Sequence, residues 1–421
     1  MKKIISLFLA CLLLTSCSNM LDIESHSAVS PGSVTYKDLS ALRMGMYNKV
    51  QNSPERESYI TFDLLGGDLK TGTGNPMDLI NSVLTSLSSI VSNSWNGYYN
   101  ALYQVNNVLS IIEGLPESDL RNQIAGEAHY FRAYIYHALV TRWGSVPILK
   151  VNTMDKPVRD PEEEVWNFIE EELETASAFL GTSANCYYVS HDAALAMKAR
   201  IMLERGKNNE AVALAEKLIH DGKYKLDSFE KIFRGEANTE VIFSFECLTE
   251  ESNITISTLF YTYAHPNHGS YVYRPTDEVM DIYEDGDNRK EVSITNVGTD
   301  LCINKYPSGQ TGTDPVIISR LAEMYLISAE AQGFPEGLER LNELRKERGL
   351  NAVNPKDEEE FIDCILDERR RELIAEGFRY YDLVRTNRAK TVLGLKDYQL
   401  VLPIPGKEII SNPNLEQNPG Y

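Results

Sequence analysis

The sequence predicts an all-α protein, a tetratricopeptide-like helical scaffold that carries a loop-rich face and a few short strands. Three observations lead there. Apolar residues recur at helical spacing from Leu79 to Trp143. The segments 192–220 and 319–349 each read as two helices joined by a tight turn. Between them, residues 229–315 lack a helical period and are rich in Tyr, Asn, Thr, Gly and Pro.

The chain begins with Lys2 and Lys3, then an almost wholly apolar run, Ile4 to Leu14, that leads into Thr15-Ser16-Cys17. Such a run is too short to cross a hydrocarbon core of ~30 Å as a helix. It suits the apolar part of a signal peptide. A small residue just before a cysteine resembles a bacterial lipoprotein signal. Residues 1–16 are therefore expected to be removed and Cys17 lipidated, each buried CH₂ contributing about 0.8 kcal/mol of anchoring. Residues 17–36 then form a polar, lipidated tether, and 37–421 a single domain.

Within that domain, Leu39–Val50 is a short amphipathic helix. Val83, Leu84, Leu87, Ile90 and Val91, then Trp95 through Ile112, predict two helices with a break near Asn93. Leu120–Trp143 continues the pattern until Gly144 and Pro147 stop it. Glu163–Leu180 is the expected partner of that helix. In 192–220, Ala193, Ala194, Ala196, Ala199, Ala211 and Ala215 let two backbones approach closely, with Gly206 at the turn. The spacing resembles a tetratricopeptide unit of about 34 residues. Helical repeat pairs are thus expected near 79–143, 163–222 and 317–349. The loop-rich insert near 229–315 opens with a short strand, Glu240–Phe245. A long irregular segment in a compact domain is usually functional.

Charge and cysteines narrow the function. The formal charge is −20, from 41 basic and 61 acidic residues, and such a field repels phosphate backbones. Nucleic acid is excluded as a partner. Cys186, Cys247, Cys302 and Cys364 are widely scattered, form no CxxC pair, and are expected to be free thiols.

Sugar binding needs aromatic platforms for the apolar ring face and polar groups for the hydroxyls. Two loops have that composition. One, 68–75, offers Asp68 and Lys70 and leads to Asn93 and Trp95. The other offers Tyr261, Tyr263, His265, Tyr271, Tyr273 and Arg274, and its alternate tyrosines would share one side of an extended segment. Competing readings stay open: core packing on a helix for Trp95 and Tyr98, and a half-buried strand for the tyrosines. The helical repeats offer mainly self-satisfied charges and small packing residues.

Enzyme signatures fail. Gly72 and Gly74 begin a GxGxxG whose third glycine is Met77, and HExxH, GxSxG and Walker patterns are absent. His265 and His268 lack a third metal ligand nearby, and no carboxylate pair stands out. No catalytic residue, cofactor or metal is expected.

Two motif blocks carry a further resemblance. The first is Glu127-Ala-His-Tyr-Phe-Arg-Ala-Tyr134, followed by Trp143-Gly-Ser-Val-Pro147. The second is Asp367-Glu-Arg-Arg-Arg-Glu-Leu373 with Glu376-Gly-Phe-Arg-Tyr-Tyr-Asp-Leu-Val-Arg385, then Leu402-Pro-Ile-Pro405 and Asn412 to Tyr421. Arg320–Leu326 and Asp281–Arg289 support them. Together with the lipoprotein start, these blocks resemble the SusD/RagB family of outer-membrane surface lipoproteins. The resemblance implies a protein held on the cell surface by Cys17. It would bind a glycan and deliver it to a SusC-like TonB-dependent transporter. An oligopeptide ligand for a transporter of the same type is the alternative, and a purely structural lid a third. The arginines of these blocks, each accompanied by an acid, read as structural pairs.

Overall fold

The computed structural model describes residues 34–73, 83–182 and 185–421. The signal block with Cys17, most of the tether, and Gly74 and Asn75 of the first loop lie outside the described residues. So does the part of the predicted 79–112 helical stretch before Val83.

The scaffold is a stack of helices. These are α1 (Leu39–Asn52), α2 (Ser89–Glu113), α3 (Asp119–Trp143), α4 (Glu162–Phe179), α5 (His191–Glu204), α6 (Asn208–His220), α7 (Leu321–Gln332), α8 (Leu338–Glu347) and α9 (Glu358–Leu373). From α1 to α7 each helix packs on the next, and α7 then meets both α8 and α9. The α6–α7 contact joins helices separated by the whole loop-rich insert. The repeat pairs read from the sequence are thus one continuous layer, as in solenoids whose units bury a shared core.

Local chemistry explains the boundaries. Ser118 Oγ accepts from Arg121 N at 3.2 Å and caps α3, and Ser190 Oγ does the same for Ala193 N at 3.2 Å on α5. Gly144 ends α3 at φ 68°. Ala193, Ala194, Ala196, Ala199, Ala211 and Ala215 are fully buried, as close helix packing requires. Phe131 sits at the centre of the core, its ring 4.7 Å from Tyr47 and 6.0 Å from Phe245.

Three sequence expectations are corrected. Val83, Leu84 and Leu87, expected within a first helix, precede α2, which begins only at Ser89. Asn93 does not break α2, because it faces solvent, where Asn costs an otherwise well-packed helix only a few tenths of a kcal/mol. Close packing follows just after it: a Cβ at Gly97 would stand 2.2 Å from the Ser53 carbonyl oxygen. Ser319 and Arg320, expected to begin a helix, belong instead to a strand (Val316–Arg320) that pairs with Val241–Phe245. The pairing is decided by residues far apart in sequence.

Among the described residues, six short strands make three antiparallel pairs: β1 (Leu69–Thr71) with β3 (Tyr273–Pro275), β2 (Val241–Phe245) with β6 (Val316–Arg320), and β4 (Ile294–Val297) with β5 (Asp300–Ile303). The proline-rich C-terminus straps the end of α3. Trp143 Nε1 donates to Pro403 O at 3.1 Å, and Asn418 Nδ2 donates to Trp143 O and Leu402 O at 3.1 and 2.7 Å. Cys186, Cys247, Cys302 and Cys364, the cysteines among the described residues, are free thiols.

Candidate functional site

The insert rests on a buried ionic keel. Glu372 accepts from Arg289 at 2.8 Å, from Arg348 at 2.9 Å and from Arg320, and all four side chains are nearly inaccessible. Glu240 pairs with Arg320 and Arg348 at 3.0 and 2.8 Å, which ties the start of β2 to β6 and α8. Lys305, just past β5, reaches Glu376 at 2.6 Å. Burial pushes its ammonium down to about 8, a fall that Glu376 partly offsets. The three principal guanidiniums come from three distant segments, so the sequence showed only the Glu368–Glu376 half of the cluster as helix-spaced charges.

On this base, β1 and β3 bring the two candidate loops together. Lys70 lies opposite Arg274 and Thr71 opposite Tyr273. Thr73 extends the join, its N–H donating to Tyr271 O at 2.6 Å and its hydroxyl to Ser270 O at 2.6 Å. Lys70 Nζ is 2.7 Å from the exposed Asp277 carboxylate, whose pKa it lowers by hydrogen bonding and charge.

The tyrosine loop folds back on itself and is not one extended segment. Tyr271 takes φ 47°, and its N–H donates to Tyr261 O at 2.9 Å. The four rings therefore do not share a side. Tyr263 is 77% exposed and stacks at 4.9 Å on His268, whose Nδ1 donates to Tyr263 O at 2.6 Å. Tyr261 is buried, stacked on the half-buried His265 at 3.7 Å, and donates to Asn304 Oδ1 at 2.7 Å. Burial, with His268 nearby, keeps His265 below its usual pKa. Beside these rings opens a cleft of about 540 Å³, lined by Tyr271, Arg274, Asp277, Asn296, Thr299 and Asp300. Sequence reasoning missed Asp277, Asn296, Thr299 and Asp300. Gly298, at φ 64° in the β4–β5 turn, was the one local signal for that hairpin.

The candidate residues thus divide. Lys70, Tyr263, His265 and the cleft-facing Tyr271 lie on this face. Asn93 is exposed near its margin, donating to Glu55 at 3.1 Å, while the neighbouring Arg56 donates to Thr258 at 2.8 Å. Four others are corrected to structural roles. Asp68 is wholly buried and paired with Arg370 at 2.6 Å, which leaves no surface for a ligand. Its pKa is raised by burial, against the opposing pull of Arg370. Trp95 is 3% exposed, its ring 5.1 Å from Trp143. Tyr273 is buried on the inner side of β3, and Tyr261 props the loop from beneath.

Comparison with known proteins accords with this architecture. The family described as starch-binding, associating with the outer membrane, matches residues 20–203, and the SusD family matches 302–400. Together the matches take in more than half of the chain. The chain belongs to the SusD/RagB family. Among SusD relatives, it is 27% identical to SusD-like protein P38 of Formosa agariphila, covering 97% of this chain and 96% of that one. SusD-like protein P2 of the same organism is 26% identical, over 100% of both chains. The SusD-like fold recurs in a structure described as a laminarin-binding SusD-like protein, with TM-score 0.81, 22% identity, and coverage of 92% of this chain and 100% of that one. It recurs again in surface glycan-binding protein A of Bacteroides thetaiotaomicron in complex with laminarihexaose, with TM-score 0.80, 20% identity, and coverage of 91% and 100%.

Proposed function

We propose that this protein is a surface lipoprotein, anchored through Cys17, that binds an oligosaccharide on the β1–β3 loop face and delivers it to a SusC-like TonB-dependent outer-membrane transporter. The observation that carries the reading is the convergence of both candidate loops through the β1–β3 pairing. It sets Lys70 opposite Arg274 at the polar cleft, and the same tyrosine loop carries an exposed ring, Tyr263. A sugar ring offers C–H patches to such a platform and hydroxyls to the amides and charges around it. Binding loops held on a rigid scaffold are also where function collects. Likeness to laminarin- and laminarihexaose-binding proteins makes a β-glucan the first ligand to try. No helix among the described residues is long and apolar enough to cross a membrane.

The test is calorimetry with laminarihexaose on wild type and Tyr263→Ala. Loss of a stacked ring should weaken binding by roughly 1.5–3 kcal/mol, about ten- to a hundredfold. Circular dichroism should not change, since the ring is largely exposed. Equal binding by both proteins would remove Tyr263 from the site.

A further inference from the structure

A cleft of about 560 Å³ lies away from the loop face, between the second half of α2, the first half of α3, the end of α4 and the segment after Leu149. Its floor is built and held. Arg132 donates to both oxygens of Glu172 at 2.7 and 2.6 Å, and His129 Nδ1 lies 2.7 Å from the same carboxylate. Arg132 also donates to Asn106 Oδ1 at 3.3 Å and Lys150 O at 3.1 Å, which ties that floor to α2 and to the following segment. Rings stand at the opening. Tyr103 is 60% exposed, and the partly exposed Phe179 lies parallel to His129 with centroids 6.3 Å apart.

Charge sets the ligand class. Glu172 is consumed by Arg132 and His129. Arg121 meets only neutral acceptors, Ile112 O and Asn122 Oδ1, both at 3.1 Å. Lys150 is exposed, its ammonium 5.1 Å from the centre of the Phe168 ring. Among the described residues neither cation has an ion-pair partner, while Glu113 on the rim is the one opposing carboxylate of the lining. A chain of net charge −20 therefore keeps two uncommitted cations at one polar, ring-flanked cleft. The amides of Asn107 and Asn152 complete the lining. Platform, amides and free cations are the combination that the sequence led us to expect only of the loops.

We propose that this cleft is a second saccharide-binding site that takes an acidic sugar, one bearing a carboxylate or a sulfate ester. Tyr103 or Phe179 packs on the ring's C–H face, Lys150 and Arg121 meet the anion, and Asn107 and Asn152 address hydroxyls. The choice of a saccharide rests on the glycan-binding reading above; the site itself does not.

Full-length protein in detergent micelles is titrated with oligogalacturonate, with a sulfated galactan oligosaccharide and with neutral laminarihexaose. Wild type is compared with Lys150→Gln and Tyr263→Ala. We expect at least one acidic ligand to bind wild type, more weakly as salt rises. Lys150→Gln should cost roughly tenfold in that affinity, as expected for losing a charge-assisted contact. It should leave laminarihexaose binding and the melting temperature unchanged, since Lys150 is exposed. Tyr263→Ala should spare the acidic ligands, and the preferred acid tells carboxylate from sulfate. No acidic binding, equal acidic binding by Lys150→Gln, or its loss in Tyr263→Ala would each overturn the proposal. Undiminished laminarihexaose binding by Tyr263→Ala would instead count against the loop-face reading alone.

Discussion

Replacing Glu372 by Gln tests whether the ionic keel holds the insert to the scaffold. The carboxylate faces Arg289, Arg320 and Arg348, with no solvent to take its place. An amide keeps one acceptor oxygen but turns an N–H₂ towards guanidiniums that already donate, and it removes the charge that balances them. Uncompensating a buried pair costs about 3–5 kcal/mol. Unfolding entropy is about 2.1 cal/mol/K per residue, so over 421 residues the melting temperature should fall by about 3–6 °C. The sign of the pH effect follows from the same contacts. Burial opposes ionisation of Glu372, but Arg348, Arg320 and Arg289 outweigh it and hold the group well below its ordinary 4.5. A depressed folded-state pKa contributes stability that is present above the unfolded value and lost as pH falls through the folded one. Wild type should therefore lose more stability than Glu372→Gln as pH drops below about 4.5. Differential scanning calorimetry between neutral and acid pH measures both effects. If the variant melts with wild type, or shows the same acid dependence, the cluster is not what secures the insert.

Three further outcomes are expected. Trp95→Ala should destabilise by about 3–5 kcal/mol through the cavity it leaves beside Trp143, and a denaturant titration reads this; laminarihexaose binding by the folded variant should be near wild type. Cys17→Ala should leave soluble or unprocessed protein, whereas a mutant that still labels with palmitate and fractionates with outer membrane would show the signal block to be misread. Solubilised gently from membranes, the protein should bring a TonB-dependent transporter with it, and a wholly free lipoprotein would count against delivery to such a partner.

The family and the helical scaffold were legible in the sequence because their signals are local. Helical periodicity, an alanine-lined pair around Gly206 and the arginine-rich block before Arg385 each lie within a few turns of chain. The two loops were found by composition, which marks a surface able to meet sugar. What composition cannot show is which side chains that surface keeps. Asp68 looked like a polar loop residue, yet its partner Arg370 stands 302 positions away and draws it inside. Trp95 was equally suited to core or ligand until α3 brought Trp143 against it. The alternate tyrosines promised one platform, but the backbone turn at Tyr271 sent Tyr261 inward and left Tyr263 out. Periodicity and turn chemistry act over a few residues and can be read directly from sequence, whereas burial and charge pairing are settled by neighbours that only the folded chain supplies.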